Sequence, residues 1–325
     1  MNQQLGDLYS SGRYQDALPV AKQALQVAET SFGPSHFNVA TSLNNLAEVY
    51  RVLGRLDEAK PLYERALKVS EETVGPENTL EAATLNNLAE LERVRGNYNV
   101  AEPLYRRAIG LREKILGSEH PDLAQSLNNL ALLYSAQSRA QDAEPLYQRA
   151  LAIYRKTYGE LHVMVAATLS NLAEMYRSQE KYSMAEPLFE KALTMNEKLL
   201  GPQHPSVATN RNNLALLYAA ENKTKDAEKN FLAALAIQEK VFGRDSAATG
   251  TTLTNLATFY QVRGKYAEAE QYWRRVIQVA EKVYGQQHPN LAAPLENLAE
   301  VYQKMGKAQE AAETAERARK LSASR

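Results

Sequence analysis

Asparagine stands in pairs at 44 and 45, 86 and 87, 128 and 129, and 212 and 213, and singly at 171, 255 and 297. Its amide carries N–H donors and a carbonyl acceptor on one group, which is what pairing with the backbone of an extended peptide requires, whatever side chains that peptide bears. Asn is also a mediocre helix former, so propensity alone does not account for it. Arg51, Arg93 and Arg177 each follow one of these asparagines by six residues and bring a guanidinium able to hold a ligand carboxylate bidentately. Each candidate has a structural alternative. The amides could bond a neighbouring helix and lock its stacking, and each arginine could pair with Glu48, Glu90 or Glu174 three residues earlier, for about 0.2–0.5 kcal/mol. The residues read as candidates for peptide contact are Asn44, Asn45, Asn86, Asn87, Asn128, Asn129, Asn171, Asn212, Asn213, Asn255, Arg51, Arg93 and Arg177.

Catalytic and metal chemistry find little material. There is no cysteine, which removes thiol nucleophiles, disulfides and cysteine metal sites. The five histidines, His36, His120, His162, His204 and His288, share one position in a repeating pattern, a turn between helices, which argues for a structural task. Packed helices lie about 8–10 Å apart while zinc needs nitrogen ligands at about 2.1 Å, so successive turns are badly placed to share an ion. No phosphate-binding glycine motif occurs. No cofactor, no metal and no enzyme activity are expected.

What positions the asparagines is a strict period. LNNLAEVY, from Leu43, echoes at Leu85, Leu127, Leu169, Arg211, Leu253 and Leu295, every 42 residues without insertion or deletion. The chain divides into residues 1–36, six 42-residue repeats over 37–288, and 289–325, one domain with no room for a second. Each repeat predicts two helices. In the first, A, the residues Leu43, Leu46, Ala47 and Tyr50 share a face; in the second, B, Ala59, Leu62, Tyr63, Ala66 and Leu67 do, behind the acidic Asp57 and Glu58. Pro19, Pro61, Pro103, Pro145 and Pro187 are expected in the first turn of B. The glycine column through Gly33 and Gly75 is expected to take the left-handed conformation that ends B; a second column, through Gly12 and Gly54, is expected to close A, with Ser138, Glu180 and Asn222 in the middle repeats. Alanine columns on both helices mark close approach, and Tyr63, Tyr105, Tyr147, Phe189, Phe231 and Trp273 are expected to fill the space between. Glu92, Arg211 and Gly250 break their columns, so the second, fifth and sixth repeats are expected to pack less tightly.

These alternating large and small residues resemble the tetratricopeptide repeat. The 42-residue unit, with LNNLAxLY, AEPLYxRAL and EKxLGxxHP, is similar specifically to the repeats of kinesin light chains and kinesin-light-chain-like arrays. The resemblance implies an all-α fold, a right-handed superhelix of antiparallel helix pairs whose A helices line a concave wall roughly 20–24 Å wide. It also implies that helix-A asparagines contact peptide backbone. The coiled coil by which kinesin light chains join their heavy chains has no counterpart here.

Charge narrows the partners. Lys and Arg total 38 against 38 Asp and Glu, giving no net field for nucleic acid or an anionic membrane, and no transmembrane or signal segment is seen. The expected partner is a protein or peptide segment and the expected location cytoplasmic; oligomeric state is left open. The alternative role is a scaffold or oligomerisation domain. The first helix is short, as in a piece of a larger adaptor, and the last, with Thr314, Ala315 and Arg319 at core positions of earlier repeats, reads as a polar cap.

Overall fold

The computed structural model describes residues 2–10 and 12–323. Among them are sixteen α-helices, one 3-10 turn and no strand. The chain forms two compact bodies, residues 1–160 and 161–325. The first contains α1 (Asn2–Ser10), α2 (Tyr14–Phe32), α3 (Phe37–Val52), α4 (Leu56–Val74), α5 (Thr79–Val94), α6 (Tyr98–Leu116), α7 (Pro121–Ala136) and α8 (Ala140–Tyr158). The second contains α9 (Val163–Ser178), α10 (Tyr182–Leu200), α11 (Pro205–Ala220), α12 (Thr224–Phe242), α13 (Ala247–Val262), α14 (Tyr266–Tyr284), α15 (Ala292–Lys304) and α16 (Ala308–Ser322). Within each body every helix packs on the next in sequence, so each is a stack of antiparallel pairs.

Both helical patterns form as the spacing predicts, and B is the longer, at 19 residues against 16 for A in α3 to α14. The alanine columns vanish from solvent: Ala47, Ala89, Ala59 and Ala101 are each 0% exposed. The facing aromatic column is equally buried, from Tyr63 at 0% to Trp273 at 3%, and the Trp273 indole N–H donates to Gln261 Oε1 at 2.7 Å. A methyl against a ring lets adjacent axes close without a void.

The turn between repeats gives the histidine column its task. In all five, Nδ1 accepts a hydrogen bond from the backbone N–H two residues on, at 3.1 Å from Asn38, Asp122, Ser206 and Asn290 and 3.2 Å from Met164. Histidine is thus the N-cap of helix A, or of the 3-10 turn Pro289–Leu291 that precedes α15, and it supplies the acceptor that an orphan first-turn N–H needs. Asn78 and Ser246 cap at the same position in the two repeats that lack it. Replacing His204 by Ala is expected to lower stability by about 0.5–2 kcal/mol, and His204→Ser to restore most of the loss. Urea unfolding of the two variants checks this; equal losses would refute the capping role.

Two details differ from expectation. The repeated prolines lie at the sixth residue of helix B, as Pro61 does in a helix starting at Leu56, and not in its first turn. They are exposed, so the carbonyl one turn earlier, deprived of its N–H partner, can take water instead. The glycine column that ends helix B does so in another conformation than expected. Gly75, with φ 87° and ψ 171°, is not in the left-handed helical well but in a region nearly reserved for glycine. It is helix A that ends in a left-handed Schellman closure: Arg55 N–H donates to Tyr50 O at 2.9 Å and Gly54 N–H to Arg51 O at 3.0 Å. Ser138, Glu180 and Asn222 adopt the same closure at φ near 60°.

The repeats that break their columns differ in how they compensate. Glu92 is 1% exposed in place of tyrosine, and its carboxylate meets Lys60 Nζ at 2.8 Å and accepts from Asn97 Nδ2 at 2.7 Å. Arg211 pairs with Glu197 at 2.6 Å. Gly250 is uncompensated and borders a hollow of about 340 Å³ with Val276, Val279 and Tyr284.

Candidate functional site

In the first body, helices α3, α5 and α7 lie in sequence order and their asparagines form a connected ladder. Asn44 and Asn86 are buried, at 9% and 2% exposure, while Asn45, Asn87, Asn128 and Asn129 are half-buried. Asn87 Nδ2 donates to Asn44 Oδ1 at 3.2 Å, and one repeat later Asn129 Nδ2 donates to Asn86 Oδ1 at 3.3 Å. Asn86 also accepts from Ser126 Oγ at 3.0 Å and reaches Asn87 Oδ1 at 3.4 Å; Asn128 makes the corresponding contact to Asn129 at 3.5 Å. Asn44 and Asn86 are therefore rungs, and Asn87 and Asn129 are both rungs and surface. Asn44, Asn45, Asn87, Ala83, Gln125 and Glu48 face a groove of about 470 Å³, closed at one side by Leu5 and Tyr9 of α1.

The arginines are engaged. Arg51 donates from Nε and Nη2 to Glu48 at 2.8 and 2.6 Å, Arg93 to Glu90 at 2.8 and 2.7 Å, and Arg177 to Glu174 at 2.8 and 2.5 Å. These are the i, i+3 pairs that the spacing allowed, and they occupy the fork of each guanidinium. The glutamates gather further donors that the sequence did not reveal: Glu48 accepts from Tyr9 at 2.6 Å and Tyr63 at 2.7 Å, and Glu90 accepts from Tyr105 at 2.7 Å. Burial works against ionisation of Glu48. The bonds and charge of Arg51, with the two tyrosine hydroxyls, outweigh it and hold the carboxyl below the usual range. Burial likewise opposes ionisation of Glu90, and Arg93 and Tyr105 overcome it. The same carboxylates, with burial as the larger cause, push the Tyr63 and Tyr105 phenols far up, so both stay protonated as donors.

In the second body a rung of the same kind joins α11 and α13, where Asn255 Nδ2 donates to Asn212 Oδ1 at 3.0 Å. Asn212 is buried and Asn171, Asn213 and Asn255 are half-buried. Asn297 bonds its own helix, to Ala293 O at 3.0 Å.

One further residue joins the first-body ladder without having been singled out by type. Arg112, near the end of α6, is 5% exposed and borders the groove. Its Nη1 donates to Ser126 Oγ at 2.8 Å, to Gln125 Oε1 at 3.2 Å and to the Asp122 carbonyl, so the chain of bonds runs from Arg112 through Ser126 to Asn86 and on to Asn87. Among the described residues no group of three His, Asp or Glu could hold a metal ion, and no helix is long and apolar enough to cross a membrane.

A family model described as tetratricopeptide repeat matches residues 2–72, 80–156, 164–240 and 248–324, and a second of the same description matches 44–114. The chain belongs to the tetratricopeptide repeat family. Its fold is the all-α solenoid of antiparallel pairs that this repeat builds, and its class of role is protein–protein interaction. Among solved structures it is similar to a putative kinesin light chain with nearly identical TPR-like repeats from Podosopora anserina, at 29% identity and TM-score 0.55, over 63% of this chain and 98% of that one. It is similar also to BtubC (BKLC) from P. vanneervenii, at 24% identity and TM-score 0.59, over 70% of this chain and 89% of that one. The Podosopora anserina neighbour bears out the kinesin-light-chain-like character read from the 42-residue unit. A Rap protein complexed with competence and sporulation factor matches at 17% identity and TM-score 0.62, over 98% of this chain and 95% of that one, a likeness of fold alone. No curated protein matches the chain.

Proposed function

We propose that this tetratricopeptide repeat chain is a non-enzymatic interaction module that holds an extended peptide or disordered segment against its A helices. The observation that carries the reading is the groove of about 470 Å³ faced by Asn44, Asn45 and Asn87. The Asn44 and Asn87 amides are fixed by one another, and the half-buried Asn45 side chain hydrogen bonds to none of the described residues. Fixed donors and acceptors lose little freedom on binding. Asn86, Asn128 and Asn129 extend the same role within the first body, and Asn171, Asn212, Asn213 and Asn255 take it within the second. Arg51, Arg93 and Arg177, whose forks already hold Glu48, Glu90 and Glu174, contribute by shaping the wall and its charge. That a Rap protein of this fold is complexed with a factor fits a fold that carries ligands.

The test removes amides without opening the core. With Asn87 and Asn129 both changed to Ala, Asn86 keeps its bond from Ser126, so melting should shift little. Two ligand hydrogen bonds at about 0.5–1.5 kcal/mol each are lost, so affinity for peptides selected on the parent from a random display library should fall roughly 10- to 100-fold. Calorimetric titration and a melting scan read the two effects. Unchanged affinity with a large drop in melting temperature would make the ladder a packing device.

A further inference from the structure

The B helices of the second body end in large apolar side chains that the fold does not bury. α10 ends in Leu199 and Leu200, α12 in Val241 and Phe242, and α14 in Val283 and Tyr284, one pair per repeat, each just before the glycine that closes its helix. All six are between 36% and 51% exposed. Packing does not ask for both members of a pair. At the place of Leu199, Val241 and Val283 the first body has Ser31, Thr73 and Thr157 in three of its four B helices, also exposed, so the fold accepts a small hydroxyl residue there.

A hollow continues the row. Gly250 of α13 stands where the other repeats hold Ala40, Ala82, Ala124, Ala166, Ala208 and Ala292. A methyl group there would meet no atom within 4 Å, so space does not require glycine, and glycine inside a helix costs stability relative to alanine. The missing side chain widens the hollow of about 340 Å³ bordered by Gly250, Thr251, Val279, Val283 and Tyr284. The last pair of the row is thus one wall of a socket. Tyr284 is steadied there, its ring stacked on His288 with centroids 4.8 Å apart.

We propose that this row is the interface of a two-fold dimer, the second body of one copy against the second body of the other. The pairs recur one repeat apart, so two copies running antiparallel bring Phe242 against the partner subunit's Phe242 at the axis. Leu199 and Leu200 then seat in the socket beside the partner subunit's Val283 and Tyr284, and the same contact recurs in reverse. A contact of this kind is self-complementary and closes at two copies. The area suits it. With about 150–250 Å² on an aromatic side chain and somewhat less on an aliphatic one, the six present roughly 500 Å² of apolar surface, the size of a functional patch. Two such faces together remove about 1,000 Å² from water, which is the lower bound for a specific interface and makes the dimer a weak one. The inference does not depend on the peptide groove.

Sedimentation equilibrium from about 1 to 200 μM, a span around a dissociation constant on the order of 10 μM, is expected to show monomer and dimer in exchange. Phe242→Glu, at an exposed position, should melt like the dilute parent and associate at least tenfold more weakly. Gly250→Leu fills the socket with a better helix former, so it should melt no lower than the parent and also associate at least tenfold more weakly. Thr157→Glu, at the corresponding place in the first body, should leave association unchanged. The chain has no cysteine, so introduced thiols report the register. With an added mild oxidant Phe242→Cys should crosslink to itself, and Leu200→Cys should crosslink to Tyr284→Cys in a mixture but not to itself. If Phe242→Glu does not fold, Val241→Glu carries the same expectation. A monomer throughout the range, a dimer that survives either interface variant, or one lost with Thr157→Glu overturns the proposal. So does a preference of Leu200→Cys for Phe242→Cys over Tyr284→Cys, which would make the contact head-to-tail.

Discussion

Tyr105→Ala is expected to destabilise the protein by about 3–5 kcal/mol, the range for emptying an aromatic site in a core that cannot collapse around it. The ring is 0% exposed between Ala columns whose backbones already stand close, so neighbouring helices have little room to move inward. The loss has two parts that can be separated. Tyr105→Phe keeps the ring and removes only the hydroxyl that donates to Glu90 at 2.7 Å, which should cost about 1.5–3 kcal/mol because the acceptor is charged. The last members of the column, Phe231 and Trp273, do without a phenol, so the ring and not the hydroxyl is what the fold requires there. Guanidinium unfolding of both variants measures the difference. A loss for Tyr105→Ala no greater than for Tyr105→Phe would show that the column is loosely packed.

How much of this was readable in the sequence depends on whether a column repeats faithfully. The alanine and aromatic columns repeat, and each lies where its type requires. Other columns carried their meaning in their exceptions. Asn78 and Ser246 stand in the histidine column, and both are ordinary N-cap residues, so the capping role of histidine was present as a substitution pattern. The glycine columns were distinguishable in the same way. The left-handed helical well admits Ser138, Glu180 and Asn222 at modest cost, whereas the column through Gly75 admits nothing but glycine because its backbone lies where a Cβ is nearly forbidden. Arg112 was illegible for the opposite reason: its column has no consensus, and only burial and the missing counter-charge set it apart. The roles of Glu48 and Glu90 were half legible. The i, i+3 arginine was visible from spacing, but the tyrosines come from other helices, 15 residues away for Tyr63 and Tyr105 and 39 for Tyr9.

Those glutamates set the second large effect, a loss of stability in acid. In the folded chain Glu48 and Glu90 titrate below the usual carboxylate range, since Arg51, Arg93 and the tyrosines overcome the burial that opposes ionisation. A group whose folded pKa is depressed contributes stability above its unfolded pKa, about 4.3, and loses it as the pH falls through the folded value. The two sites should therefore leave stability flat from neutral pH to about 5 and reduce it progressively below about 4. Glu90→Ala isolates one of them. Removing a buried partner of an ion pair costs about 3–5 kcal/mol when burial is complete. Here Glu90 and Arg93 remain 19% and 25% exposed, and solvent screening reduces the expected loss at neutral pH to about 2–3 kcal/mol. The same variant should lose less than the parent between pH 5 and 3, because one of the depressed carboxylates is gone. Glu92, Glu102 and Glu270, also held low, keep some slope in place. Urea midpoints at pH 7, 5, 4 and 3 test both statements, and parallel pH profiles for parent and Glu90→Ala would show that the Arg93–Glu90–Tyr105 cluster carries no ionisation-linked stability.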